Sequence, residues 1–377
     1  MSKVSIIKTP NYDLNTVKIA IEKHFEQLEL DKLFKKGMRV TLKPNLLMKR
    51  KPESGTTTHP VLLEAVIIKL KELDITDITI ADSPGGLYTK NTLKGIYETC
   101  GMADTARRHD VKLNFDVGSS EMICPNPKIT NKFNIINPLA DTDIIINLPK
   151  LKTHSLTGIS AGIKNMFGAI PGLMKPEMHF RFKDHKNFSD MLIDLVLTVP
   201  PTVTICDAVT AMEGDGPSSG VLRDVGYTYA CVDVFALDLV LCNVIGQKAE
   251  NIPMLKREIE RGLSSGKLSE IELVGDELVC FDDYKLPKSR SIDFVGSTPL
   301  PKFIEKWLGS IFTPKLKVIK KSCIGCGKCA ESCPAKIISM VNKKAIINYT
   351  KCIKCYCCHE MCPVKAIIIK RNKLFNR

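Results

Sequence analysis

The chain has 377 residues, room for two or three domains, and its 44% hydrophobic and 25% charged content is that of a globular protein. No uncharged apolar run approaches the ~20 residues a spanning helix needs; the longest, Val234 to Ile245, is broken by Asp238. The opening residues also lack the apolar core of a secretion signal, so no membrane span and a cytoplasmic location are expected.

The net charge of +13 suggests nucleic acid until it is located. From Lys315 to Arg377 fifteen basic residues face only Glu331 and Glu360, and the rest of the chain balances. That tail lacks the interleaved aromatics of single-strand binders, so nucleic acid is disfavoured. A concentrated positive surface fits an acidic redox partner, such as a ferredoxin or flavodoxin.

In chain order, Val4 to Ile7 reads as a strand. Asp13 caps a helix with Val17, Ala20, Ile21, His24, Phe25 and Leu28 on one face. Val40 to Leu42 is a strand ending at Lys43 and Asn45. His59 precedes a helix that opens at Pro60. Ile78 to Ala81 is a strand ending at Asp82 and Ser83. Asp143 to Leu148 is an apolar strand ending in Pro149-Lys-Leu-Lys152-Thr-His154, and Val203 to Cys206 is another, followed by Asp207. Helices follow at Val232 to Val244 and Pro253 to Arg261. Strands alternating with helices imply an α/β fold with a mainly parallel sheet. Ligands of such sheets sit beyond the carboxyl ends of the strands.

The densest polar and glycine-rich stretch runs from Pro149 to Gly172. It holds His154 and Lys164, with Gly158, Gly162, Gly168 and Gly172 at spacings that allow close backbone approach. Lys164 in so apolar a context could act as base, nucleophile or anion clamp. The plainer reading is a glycine-rich helix packed on the sheet, with Lys164 reaching to solvent. One cleft lined by Lys43, Asp82, His154 and Lys164 is expected. Asn45, His59, Ser83 and Lys152 are further contacts to an unknown small-molecule ligand or second cofactor.

Past a linker at 291–314, with Trp307 on a short helix, the tail carries two cysteine runs. Cys323, Cys326, Cys329 and Cys333 precede Pro334, and Cys352, Cys355, Cys358 and Cys362 precede Pro363. Both read C-x2-C-x2-C-x3-C-P, the ligand pattern of two [4Fe–4S] clusters. In that pattern the fourth Cys ligates the other cluster. One ligand set is therefore Cys323, Cys326, Cys329 and Cys362, and the other Cys352, Cys355, Cys358 and Cys333. Structural zinc needs paired C-x2-C motifs but explains neither the third Cys nor the Pro, twice over. Cys357 reads as a bystander. The expected architecture is an α/β domain over 1–290 and a small ferredoxin-type two-cluster domain over 315–377.

Lys43-Pro-Asn, Thr57-Thr-His-Pro, Asp82-Ser-Pro-Gly-Gly, Leu148-Pro-Lys-Leu-Lys-Thr-His, Gly162-Ile-Lys-Asn-Met-Phe-Gly and Glu213-Gly-Asp-Gly-Pro together resemble the domain of unknown function 362 family. The tail resembles two-cluster ferredoxins. More distantly, His154-x3-Gly158-x3-Gly162-x-Lys164 is similar to the N-terminal domain of nickel-pincer lactate racemases. That likeness implies Lys164 as a cofactor attachment point, with His154 and His179 as ligand candidates. Three functions are in view: a redox enzyme fed through two clusters, an electron carrier or assembly factor whose large domain binds a partner, and a racemase-type proton-abstracting enzyme.

Overall fold

The computed structural model describes residues 1–289 and 314–370. The linker helix expected around Trp307 lies outside the described residues. The strands are β1 (Ser2–Lys8), β2 (Arg39–Pro44), β3 (Asp77–Ile80), β4 (Lys112–Leu113), β5 (Ser119–Ile123), β6 (Lys132–Ile136), β7 (Ile144–Leu148), β8 (Lys150–His154), β9 (Gly158–Ser160), β10 (Val203–Glu213), β11 (Val221–Cys231) and β12 (Ile271–Gly275). In the tail follow β13 (Lys315–Val318), β14 (Ile338–Val341), β15 (Lys344–Ile347) and β16 (Ile367–Lys370).

A 10-stranded sheet has the order β12-β1-β11-β10-β7-β2-β3-β4, with β8 bonded to β10 and to β9. Its pairs are parallel except β1–β11, β10–β11 and β8–β9, so the mainly parallel α/β expectation holds. Both faces are covered, as parallel sheets require. On β7, Ile144, Ile146 and Leu148 enter a cluster with Ile21, Leu63 and Leu93 from the helices of the N-terminal half. Ile145 points the other way, into a cluster with Phe188, Leu192, Leu237 and Leu255. This period-two split explains why the strand reads as one apolar run.

The helix starts follow local chemistry. Asp13 accepts the Thr16 N–H at 3.0 Å and opens the helix Leu14–Gln27. Pro60 sits in the first turn of Pro60–Glu72, where its missing N–H costs nothing. The glycine-rich stretch is not one helix. It is the β8–β9 hairpin followed by the single turn Gly162–Asn165. Asp238, on the helix Val234–Val244, accepts the Gly162 and Ile163 N–H groups at 2.6 and 3.0 Å and pins that turn. Gly162 is required there, because a Cβ would stand 2.5 Å from Val234 Cγ2.

Asp238 is fully buried, and burial pushes its carboxyl up from an ordinary 3.8 to about 7. A folded pKa above the unfolded one means stability that is full below pH ~4 and lost as pH rises toward ~7. Wild-type protein should lose about 1 kcal/mol more per pH unit between pH 5 and 7 than Asp238→Asn. Equal slopes in denaturant unfolding would remove Asp238 as the cause.

In the tail, β13–β16 and β14–β15 are small antiparallel pairs. Their apolar contacts with Cys329, Cys333 and Cys358, through Leu316, Ile338, Ile347 and Ile367, make up a small core.

Candidate functional site

The carboxyl ends of β2, β3 and β7 meet at one edge of the sheet, and the tail lies across that edge. Arg50 Nη2 donates to Pro363 O at 2.6 Å, and Ser218 Oγ donates to Glu360 O at 2.7 Å. Between the two units is a cleft of about 730 Å³, its open mouth included. The large domain lines it with Asn45, Asp82, Ser83, Lys152, His154, Lys164, Lys175 and His179. The tail closes it with Ser332, Cys357, Glu360 and Met361.

Lys43 is fully buried beneath this cleft, with Nζ 2.7 Å from Asp82 Oδ1. The other Asp82 oxygen accepts the Leu46 N–H at 3.0 Å. Lys152 and His154 lie two residues apart on β8 and so share a face. Lys152 Nζ donates to Asn45 Oδ1 at 2.8 Å and to Thr56 O at 2.7 Å. Burial, reinforced by Lys150 and Lys164, lowers the Lys152 amine to about 7. Lys175 donates to Ser83 O, Ser83 Oγ and Ile170 O, and burial lowers it also to about 7. Lys164 Nζ stands 4.4 Å from the Phe167 ring centroid. Burial lowers its pKa while the nearby Glu360 carboxyl raises it. Lys164 is half-buried and lines the cleft together with His154.

Glu360 is one of the two acids in the basic tail, and burial raises its pKa. His179 stacks on Phe188 at 4.4 Å between centroids, and burial lowers its pKa to about 3. His59 is not at the cleft. It caps its helix through Nδ1, stacks on Tyr12 at 3.7 Å and belongs to a separate buried group with Lys150 and Asp207.

The racemase-like expectation makes His154 a metal ligand. Its Nδ1 accepts the Leu156 and Thr157 N–H groups at 3.1 and 3.3 Å. A neutral ring then carries its proton on Nε2, which faces Glu360 Oε1 at 3.4 Å. No lone pair is left for a metal. Among the described residues no three His, Cys, Asp or Glu group around a single ion. The cleft residues do not fit a metal-centred group.

The cysteines gather elsewhere. Cys323, Cys326, Cys329 and Cys362 ring one cavity of about 310 Å³. Cys352, Cys355, Cys358 and Cys333 ring another of about 320 Å³. Four thiols around a void larger than one ion fit a cluster. Cys357 is at neither cavity; it lines the cleft. Sequence reasoning missed Lys175, Glu360 and Cys357 as cleft residues. The one signal for Glu360 is its rarity as an acid in that tail.

Fold and site together define an α/β domain joined to a ferredoxin-type iron–sulfur unit, with a cleft where they meet. Residues 40–243 match the domain of unknown function (DUF362), and residues 315–363 match the 4Fe-4S dicluster domain. The chain belongs to the domain of unknown function 362 family. A thylakoid-associated protein of Synechocystis sp. is 30% identical over 292 residues, covering 76% of this chain and 88% of that protein. The lactate racemase apoprotein from Thermoanaerobacterium thermosaccharolyticum is similar over 64% of this chain and 56% of its own, at 14% identity and a TM-score of 0.39. A Thermotoga maritima protein is similar over 53% of this chain and 51% of its own, at 12% identity and a TM-score of 0.34. The chain spans about half the length of these two solved structures. Among the described residues no helix is long and apolar enough to cross a membrane.

Proposed function

We propose that this chain is an iron–sulfur redox protein, an oxidoreductase of the cytoplasm of an anaerobic or strongly reducing cell. Its cleft holds a small molecule beside the cluster-bearing segment. Cys323, Cys326, Cys329 and Cys362 would hold one cluster, and Cys352, Cys355, Cys358 and Cys333 the other. Clusters of this kind, when bound, supply one-electron transfer. One observation carries the reading: Cys357, Glu360 and Met361 wall the cleft, while Cys358 and Cys362 on the same short segment ring the two cysteine cavities. The protein's own groups at the cleft suit proton handling. His154 presents Nε2–H, and Lys164 presents an amine of lowered basicity. Anaerobically prepared protein should contain about eight iron and about eight acid-labile sulfides per chain. About four iron, or zinc in its place, would overturn the assignment.

The partner in this reading is an acidic electron carrier such as a ferredoxin or flavodoxin. Lys315, Lys317, Lys320, Lys321, Lys328 and Lys343 are exposed on the cluster unit, and Cys326 is exposed among them. Reduction by such a carrier should slow about tenfold as salt rises well past 0.1 M, where the Debye length is ~10 Å. A rate indifferent to salt would remove the electrostatic argument.

A further inference from the structure

The cleft leaves donors without acceptors, beside one buried acceptor, Glu360 Oε1, that has no hydrogen-bond partner among the described residues. An ammonium group has three N–H bonds to place. Lys175 places three, on Ser83 O, Ser83 Oγ and Ile170 O. Lys152 places two, on Asn45 Oδ1 and Thr56 O. Lys43 is paired with Asp82. Lys164 has no hydrogen bond to a described residue; its Nζ lies over the Phe167 ring at 4.4 Å and the Phe188 ring at 6.0 Å from the centroids. A second observation is independent of the lysines. His179, 5% exposed and lining the same cleft, has its Nδ1 buried without a hydrogen-bond partner among the described residues.

Lys164 is half-buried rather than enclosed, but an orphaned buried atom such as His179 Nδ1 is costly unless something satisfies it, and a half-buried ammonium without a partner gains from one. Charge-assisted bonds from ammonium to an anionic oxygen are the strong way to do so. We infer that the cleft is an oxyanion site: it takes a small molecule through a carboxylate or phosphate-type group seated on Lys164 and on the unplaced N–H of Lys152, with His179 a further polar contact. The inference rests on the reading of this cleft as the ligand site and names the class of ligand. Glu360, the carboxylate on the tail side, faces His154 Nε2 at 3.4 Å. The competing reading is that the aromatic contact alone holds Lys164, with no ligand.

The test uses the full chain, prepared anaerobically, titrated with inorganic phosphate and separately with acetate against sodium chloride of equal ionic strength. At saturation at least one of the two should raise the unfolding temperature by about 3 °C above chloride. Lys164→Met should abolish that rise with iron and sulfide content unchanged, and Lys164→Arg should keep part of it. A response to phosphate alone identifies a phosphorylated ligand, and one to acetate alone a carboxylate. Neither anion exceeding chloride, or Lys164→Met responding like wild type, overturns the site. Full cluster content with no anion response would sink the oxyanion site and leave the redox reading. An anion response in protein unable to hold iron would do the reverse.

Discussion

Cys333→Ser should destroy the cluster ringed by Cys352, Cys355 and Cys358, and Cys362→Ser should destroy the other. The reason is the folding of the two runs. Each begins with three cysteines that wrap one cavity, and the fourth cysteine of each run faces the cavity of the other. Iron should fall from about eight to about four per chain in either variant. Spectroscopy that resolves the two clusters should show opposite survivors. Each variant damaging the cluster of its own run, or both variants losing everything, would contradict two separately held sites. Cys357→Ser should leave iron unchanged, since Cys357 rings neither cavity. The same exchange also ties the two halves of the tail together. A unit of ~60 residues buries little core by itself, so cluster loss should loosen it.

Much of this was readable because it is local. Apolar runs ending just before Lys43, Asp82 and Pro149 mark strand ends, and the parallel-sheet rule brings such ends together. The Lys152-x-His154 alternation puts both side chains on one face of β8 by the period of a strand alone. What stayed hidden depends on docking. Cys357 looks redundant inside its motif, and only the placement of the tail turns it toward the cleft. Lys175 looks like a surface residue of the helix Met174–Arg181 until two oxygens of the distant Ser83 and the nearby Ile170 carbonyl surround it. His59 misled because a histidine before a helix at a strand-rich edge looks like a ligand, whereas its ring nitrogen serves the helix start. The glycines misled in part: their close approaches suggest a ligand, but Gly162 meets Val234 and Asp238, which are protein.

Lys43→Met should be among the most destabilising single changes in the large domain. Lys43 is 0% exposed, and its ammonium is 2.7 Å from a carboxylate that is itself 3% exposed. Replacing the pair with apolar groups need not cost stability, but removing one partner strands the other charge in the interior. The expected loss is about 3–5 kcal/mol, read as a lowered denaturant midpoint in anaerobic protein. The packing leaves Asp82 no easy escape. A Cβ on Gly168 would stand 2.1 Å from Asp82 Oδ1 and 2.7 Å from Lys43 Nζ, so the backbone is already against the pair. Lys43→Met with Asp82→Asn should recover most of the loss. Asn carries no charge and still offers an oxygen to the Leu46 N–H that Asp82 now accepts. The double variant separates this account from a simple packing defect. If it is no more stable than Lys43→Met alone, the cost lies in how Met packs at that site and not in a stranded carboxylate, and the pair is not what fixes β2 to the loop after β3.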